Sequence, residues 1–327
     1  MQLLAIPNQI LYKKFILNVF LYNKMFTDFF EKVKKIYYTL KHKNGGKNAD
    51  YIPELSKVNP HLYAISIYTI HGEQFNIGDF EHEFAIESCS KIFSLALALN
   101  KYGKKTIQNK IGKVSSKLKF NSLCAIENSN IHSTNAFDNG GAMATTSLLY
   151  KPNRKQYVKS IVDNMSEYAG RKLHVNYKIY KSELSEIDHN LSIAYLLKSY
   201  KKFYSDDIMC VVDAYTQQCS VMVTSKDVAL MACTLANGGT NPKTLAKPID
   251  KENVDYIIDH MCLNGLYDET DIWMKEVGFP AKSGVGGVLL IVLPGIMGIS
   301  IISPPLNEHG NSFKGIQTAK KISKIIG

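Results

Sequence analysis

The sequence predicts an α+β fold in which one antiparallel sheet draws strands from both ends of the folded body, with a helical lobe inserted between them. Three observations carry this. β-rich segments stand near the start of the body, apolar residues at helical spacing run from Ser88 to about Met274, and short apolar runs broken by Gly and Pro return after Gly278. Strands that bracket a helical block bury their apolar faces most simply by joining one sheet, and the crevice between the two lobes is the natural place for a ligand.

The N-terminal stretch "ILYKKFILNVFLYNKMFTDFFEKVKKIYYTL" is apolar, but lysines interrupt it too often for a membrane span. It lacks the charged start, apolar middle and small-residue cleavage site of a secretory signal. Its pattern is that of an amphipathic helix packed on the body or on a partner, with attachment to a membrane surface as the sharper alternative. Gly45-Gly46-Lys47-Asn48 reads as a linker. The expected organisation is therefore a basic amphipathic extension and linker over 1–47 and a two-lobed domain over 48–327, its helical lobe spanning about 92–275.

Within the domain, "HLYAISIYTI" (61–70) and "EQFNIGDF" (73–80), separated by His71-Gly72, predict a hairpin. "KIFSLALALNKYG", "NLSIAYLLKSYKKF" and "SKDVALMACTLANGG" predict helices, the last with a Ser225 cap and an Asn-Gly-Gly exit. "VGGVLLIVLPG" and "IMGISIISPP" predict the returning strands, and "NSFKGIQTAKKISKII" a closing amphipathic helix.

The balance of 39 basic against 29 acidic side chains gives a net charge of +10, but residues 1–50 alone hold nine lysines against Asp28, Glu31 and Asp50. The body is thus only mildly basic, which argues against a nucleic-acid partner. The six cysteines form no C-x-x-C pair or metal-ligand spacing, and the nine histidines contain no H-E-x-x-H. A reducing, cytoplasmic compartment with no disulfide framework, no metal and no cofactor is the expectation.

"FAIESCSKIF" (84–93) places Ser88 and Lys91 three apart, on one face of a helix start. Burial disfavours an ammonium, and a neutral lysine can take a serine proton; the plain alternative is a capping serine and a snorkelling lysine. Ser116/Lys119 and Ser199/Lys202 repeat the spacing in polar, lysine-rich surroundings that read as solvated surface. Lys282-Ser283-Gly284, ahead of an apolar strand, is similar to the third motif of serine β-lactamases and penicillin-binding proteins. The glycines at 284, 286 and 287 are expected to let a substrate lie against the strand edge.

The blocks "YIPELSKV", "ESCSKIFSLALAL", "FNSL", "NAFDNGGAM", "SELSEIDHN", "VVDAYTQQCS", "LANGG", "GLYDE", "GFPAKSGVGG" and "SPPLNEHGNS" resemble, in order, the serine-dependent glutaminases. The resemblance implies a β-lactamase/penicillin-binding-protein-like fold, a glutaminase catalytic domain over 48–327 and hydrolysis of L-glutamine to L-glutamate and ammonia through a γ-glutamyl-serine intermediate. It implies Ser88 as nucleophile, Lys91 as its base and Tyr267 as a proton relay. Tyr51 falls at the position of a rim residue, Asn139, Glu183, Asn190 and Tyr215 at substrate-binding positions, and Val285 at one that contributes a backbone N–H. It further implies a homo-oligomer, dimer or tetramer.

Taken singly, Asn139 reads as a turn residue, Glu183 and Asn190 as an exposed helix face or loop, and Tyr215 and Tyr267 as core-edge residues. The chain departs from the family at Glu87, where glutamine is usual, at Ala136 for proline, Gly140 for alanine and His189 for arginine. A carboxylate at 87 that faces the site is expected to stabilise charged Lys91 and blunt its basicity. The first 24 residues have no clear counterpart, and a translation start at Met25 is a further expectation. Two alternative functions stand beside the first: a penicillin-recognising serine hydrolase of the same fold, and a catalytically weak binding protein.

Overall fold

The computed structural model describes residues 26–115, 117–129 and 132–326. Among them, strands β1 (Ala64–Thr69), β2 (Gln74–Gly78), β6 (Ala281–Gly284), β7 (Val288–Leu293) and β8 (Met297–Ile302) form a sheet in the order β2-β1-β8-β7-β6. Every neighbouring pair is antiparallel, with Ser66 opposite Ser300 where the two ends of the body meet. The sheet from both chain ends is therefore present. A second, smaller sheet was not expected: β3 (Phe84–Ala85), β4 (His174–Val175) and β5 (Val221–Val223) pair in the order β3-β5-β4 beside the helical lobe.

Period-2 side-chain alternation sends Val288, Leu290 and Val292 to one face of β7 and Leu289, Ile291 and Leu293 to the other. Both faces are covered, which is why "VLLIVL" reads as a continuous apolar run. The helical lobe covers the inner face. The helix over 26–40 covers the outer one through Phe26, Val33, Tyr37 and Leu40, together with Ala319 and Ile322 of the closing helix Phe313–Ile326. Burying side chains of this size contributes roughly 1.5–3 kcal/mol each. Of the two readings of the N-terminal segment, residues 26–40 take the one that packs on the body. The expectations for the first 25 residues, the start at Met25 among them, lie outside the described residues.

The helix Ser225–Ala236 rests directly on the inner face at Gly298, Ser300 and Ile302. A Cβ at 298 would stand 2.2 Å from the Cys233 backbone nitrogen and 2.3 Å from the Ala229 carbonyl oxygen, so only glycine admits this approach. The helix is capped by Thr224, not by Ser225 as expected. Thr224 accepts from the Asp227 N–H, and the Asp227 carboxylate accepts from the Thr224 N–H. The physical reason is spacing: a capping box needs an acidic residue three positions on, which Thr224 has and Ser225, facing Val228, lacks.

Candidate active site

Residues 84–91 are held between the lobes. After β3 the chain makes a 3₁₀ turn, Glu87–Cys89, and enters the helix Ser90–Tyr102. Ser88 therefore precedes the α-helix, while Lys91 occupies its first turn. Glu87 adopts φ +50°, uncommon for a residue with a side chain and a sign that its surroundings over-determine the backbone. β6 supplies that constraint. A Cβ at Gly284 would stand 2.9 Å from the Ile86 carbonyl, and one at Gly286 2.9 Å from that of Ala85. Cys89 Sγ also donates to the Lys282 carbonyl at 3.2 Å. The expectation that these glycines make room for substrate is thus corrected: Gly284 and Gly286 make room for the turn that carries Ser88, and Gly287, at φ +90°, turns the chain into β7.

A cavity of about 230 Å³ opens above this turn, lined among others by Tyr51, Ser88, Asn139, Glu183, Asn190, Tyr215 and Val285. Seven of the nine expected residues are brought to one wall-to-wall space, from separate elements. Asn139 opens the helix Asn139–Leu148, Glu183 lies on Tyr177–Leu184, Asn190 on Asp188–Ser199 and Tyr215 on Ile208–Cys219. Tyr215 keeps its isolated reading as a core-edge residue, its ring in the core and its hydroxyl on Asn139, while Asn139, in the first turn of a helix, is not the turn residue it reads as alone. Tyr51 stands half-exposed at the rim. The other two, Lys91 and Tyr267, lie buried beneath the cavity floor.

Lys91 is 1% exposed, so it does not snorkel. Its Nζ donates to Asn139 Oδ1 at 2.7 Å and to the Phe137 carbonyl at 3.0 Å. Among the described residues no hydrogen bond joins it to Ser88. Tyr215 donates to the same Asn139 Oδ1 at 3.1 Å, and Asn139 Nδ2 donates to Asn190 Oδ1 at 3.2 Å, so the lysine is wired to the cavity wall. Burial pushes its ammonium down to about 8, against the opposing pull of Cys219, Asp138 and Glu87.

Tyr267 begins a 3₁₀ turn at φ +58°, a second strained residue at this place. Its buried hydroxyl makes no hydrogen bond of good geometry, although Ser88 is near enough to favour its ionisation against a strong rise from burial. Lys282 Nζ sits 3.9 Å from the centre of the Tyr267 ring and donates to the Ser283 carbonyl at 2.8 Å. Burial, then the charge of Lys91, holds the Lys282 amine well below its usual range.

Glu87 does face the site, in surroundings that disfavour its carboxylate. Burial pushes its carboxyl well above the usual range and neighbouring Glu183 adds to the rise, while Lys91 opposes it. Burial likewise raises Glu183 to about 8, against a hydrogen bond from Ser220 at 3.0 Å. Two such carboxyls cannot both ionise at neutral pH. The surroundings thus favour the neutral acid at Glu87, the form close in shape and hydrogen-bonding capacity to glutamine, while its ionised form raises the Lys91 ammonium against burial.

Phe120, Asn121, Glu186, His189 and Cys219 also line the cavity. They were given no role from the sequence, although "FNSL" and "QQCS" lie in the blocks quoted above. His189, in place of arginine, bonds the Asn121 carbonyl at 2.7 Å. Lys202, read as solvated surface, is instead buried: its Nζ donates to the Ile126 carbonyl at 3.0 Å and to that of Ser129, which draws the lysine inward to close that loop.

An antiparallel sheet drawn from both ends of the body, a helical lobe between its halves and a strained, serine-bearing turn at their junction define the β-lactamase-like fold class. The glutaminase family model matches residues 46–327. "Glutaminase 1" of Shigella flexneri is 41% identical over 284 residues, covering 87% of this chain and 91% of its own length. The glutaminase of Mycobacterium ulcerans is 41% identical over 286 residues, covering 88% and 89%. Among solved structures, "Probable glutaminase ybaS" superposes with a TM-score of 0.89 at 39% identity, covering 92% of this chain and 97% of that one. This chain belongs to the glutaminase family, amidohydrolases that act on glutamine.

Proposed function

We propose that the chain hydrolyses the side-chain amide of L-glutamine through an ester on Ser88, with residues 48–327 as the catalytic domain. The observation that carries this reading is the buried Lys91, held by Asn139 and the Phe137 carbonyl three residues from a cavity-lining serine. With its ammonium lowered to about 8, a substantial share of Lys91 is neutral near physiological pH and able to accept the Ser88 proton.

The steps follow from the placement of the groups. Ser88 Oγ attacks the carboxamide carbon as its proton passes to Lys91, and the backbone N–H groups of Ser88 and Val285 receive the oxyanion. The proton taken up by Lys91 is relayed through the Tyr267 hydroxyl, which gives one proton to the leaving nitrogen as it receives another; the C–N bond breaks and ammonia departs. Water, deprotonated along the same route, then releases glutamate. At the other end of the substrate, the α-ammonium favours the carboxylate form of Glu183 against its burial and pairs with it, while Asn139, Asn190 and Tyr215 hydrogen-bond the amino-acid head and Tyr51 closes over it. Fixing the head places the amide at the serine.

The protein works in the cytoplasm as a homo-oligomer, dimer or tetramer. The first point is supported by six cysteines that are all free among the described residues, the second by the family resemblance alone. No described helix is long and apolar enough to cross a membrane.

Ammonia release from glutamine, asparagine and buffer, by the wild type and Ser88→Ala, tests the reading. Glutamine-dependent release by the wild type that Ser88→Ala lacks is expected. Equal release by the two proteins would contradict it, and hydrolysis of a chromogenic β-lactam at a comparable rate would redirect it to a penicillin-recognising enzyme.

A further inference from the structure

At the inner end of the cavity Glu87, Glu183 and Cys219 come together from the nucleophile turn and two helices. One ligand atom from each, two carboxylate oxygens and the thiol sulfur, lie within 4.8 Å of one another. Glu87 and Cys219 are 3% and 4% exposed. Glu87 lines the cavity, and its Oε1 is fully buried there without a hydrogen-bond partner, a polar group left for a ligand to satisfy. Cys219 Sγ makes a long hydrogen bond, 4.0 Å, with Ser90 Oγ. The proposed reaction uses Glu183 and leaves both other groups idle.

We propose that Glu87, Glu183 and Cys219 form a binding site for a thiophilic divalent cation of the zinc class, whose occupancy blocks the amino-acid head subsite and so inhibits the enzyme. One thiolate and two carboxylates are a donor set that zinc accepts and that magnesium, which takes oxygen ligands, does not favour. In tetrahedral zinc sites with bonds of about 2.0–2.3 Å the ligand atoms stand roughly 3.3–3.8 Å apart, so the three groups need to close by about 1 Å, within the reach of glutamate side-chain rotation. The fourth position faces the cavity and is left to water. The ion is held by the thiolate and both carboxylates, so binding expels the protons those groups carry and places a double positive charge where the single positive charge of the substrate would sit. The ion is an inhibitor here and takes no part in turnover. The site stands on the side-chain cluster; only its effect on turnover rests on the proposed reading of Glu183.

Zinc chloride titrated calorimetrically into the chelator-treated full chain, with anomalous scattering at the zinc edge from soaked crystals, tests this. Expected are an anomalous peak among the three side chains, affinity at least tenfold weaker in both Cys219→Ser and Glu87→Gln, and zinc inhibition that rising glutamine relieves. Cadmium gives an independent reading, through a thiolate charge-transfer band present in the wild type and lost in Cys219→Ser. If either variant fails to fold, the peak position in the wild type decides. A peak elsewhere, or affinity unchanged in both variants, overturns the site. Zinc bound at the cluster without competing with glutamine keeps the site and removes Glu183 from the head subsite, so the two readings fail separately.

Discussion

Ser88/Lys91 and Ser199/Lys202 share a spacing and, in the folded chain, share a buried lysine. They differ in what surrounds the polar groups. Lys202 is satisfied by two backbone carbonyls of a loop, and the exposed Ser199 turns its hydroxyl back to the Leu196 carbonyl of its own helix. Lys91 shares one side-chain acceptor, Asn139 Oδ1, with Tyr215, and its serine opens on a cavity. Burial alone therefore does not make a lysine a base. A lysine whose partners fill its donors closes a loop; one set among groups that themselves reach the cavity can exchange a proton with it.

Exchanging the lysines breaks the comparison most sharply. Lys91→Ala is expected to lower kcat for glutamine on the order of 10³-fold with the fold retained, as measured by ammonia release and circular dichroism. Lys202→Met should leave kcat unchanged and lower stability by about 1–3 kcal/mol in denaturant unfolding, because two carbonyls lose their donor. Next in size, Tyr267→Phe keeps the ring under Lys282 and removes the hydroxyl beside Ser88. A loss in kcat of about 10²-fold, with KM little changed, is the expected result.

The pH profile sharpens the same contrast. Lys91 accepts a proton only when neutral, so kcat/KM should rise with pH through about 8 and level off above it. Burial sets this limb low; Asp138 opposes it, as do Cys219, Glu87 and Cys89 in their ionised forms, and Lys282 faces Lys91 as a second buried amine. A profile that is flat from pH 6 to 9, as these values are scanned, would remove Lys91 as the base. The smallest effect belongs to Ser199→Ala, which should move stability by no more than about 0.5 kcal/mol and leave ammonia release as it was.

The contrast also shows what the sequence could disclose. Both sheet halves, the helical lobe and the closing helix were legible because apolar periodicity reports directly on which faces are buried. Seven site residues meet in the cavity because ordered blocks fixed their positions, although each alone reads as ordinary structure. What escaped was set by neighbours remote in sequence. The rise of the Glu87 carboxyl depends on its burial and then on Glu183, and the use of Gly284 and Gly286 depends on Ile86 and Ala85. The burial of Lys202 depends on carbonyls more than 70 residues away. The short strands β3, β4 and β5 were too brief to stand out from the helices around them. The cap at Thr224 was readable, since its Asp227 partner stands three residues on.

The central claim is that the Ser88 hydroxyl, rather than the Cys219 thiol in the same cavity, attacks the substrate. Covalent labelling with a glutamine analogue bearing an electrophilic carbon in place of the carboxamide, followed by peptide mapping, addresses this directly. The account predicts one label per chain, on Ser88 within residues 84–93, and no inactivation of Lys91→Ala at the wild-type rate. A label on Cys219, with Ser88 unmodified, would contradict it.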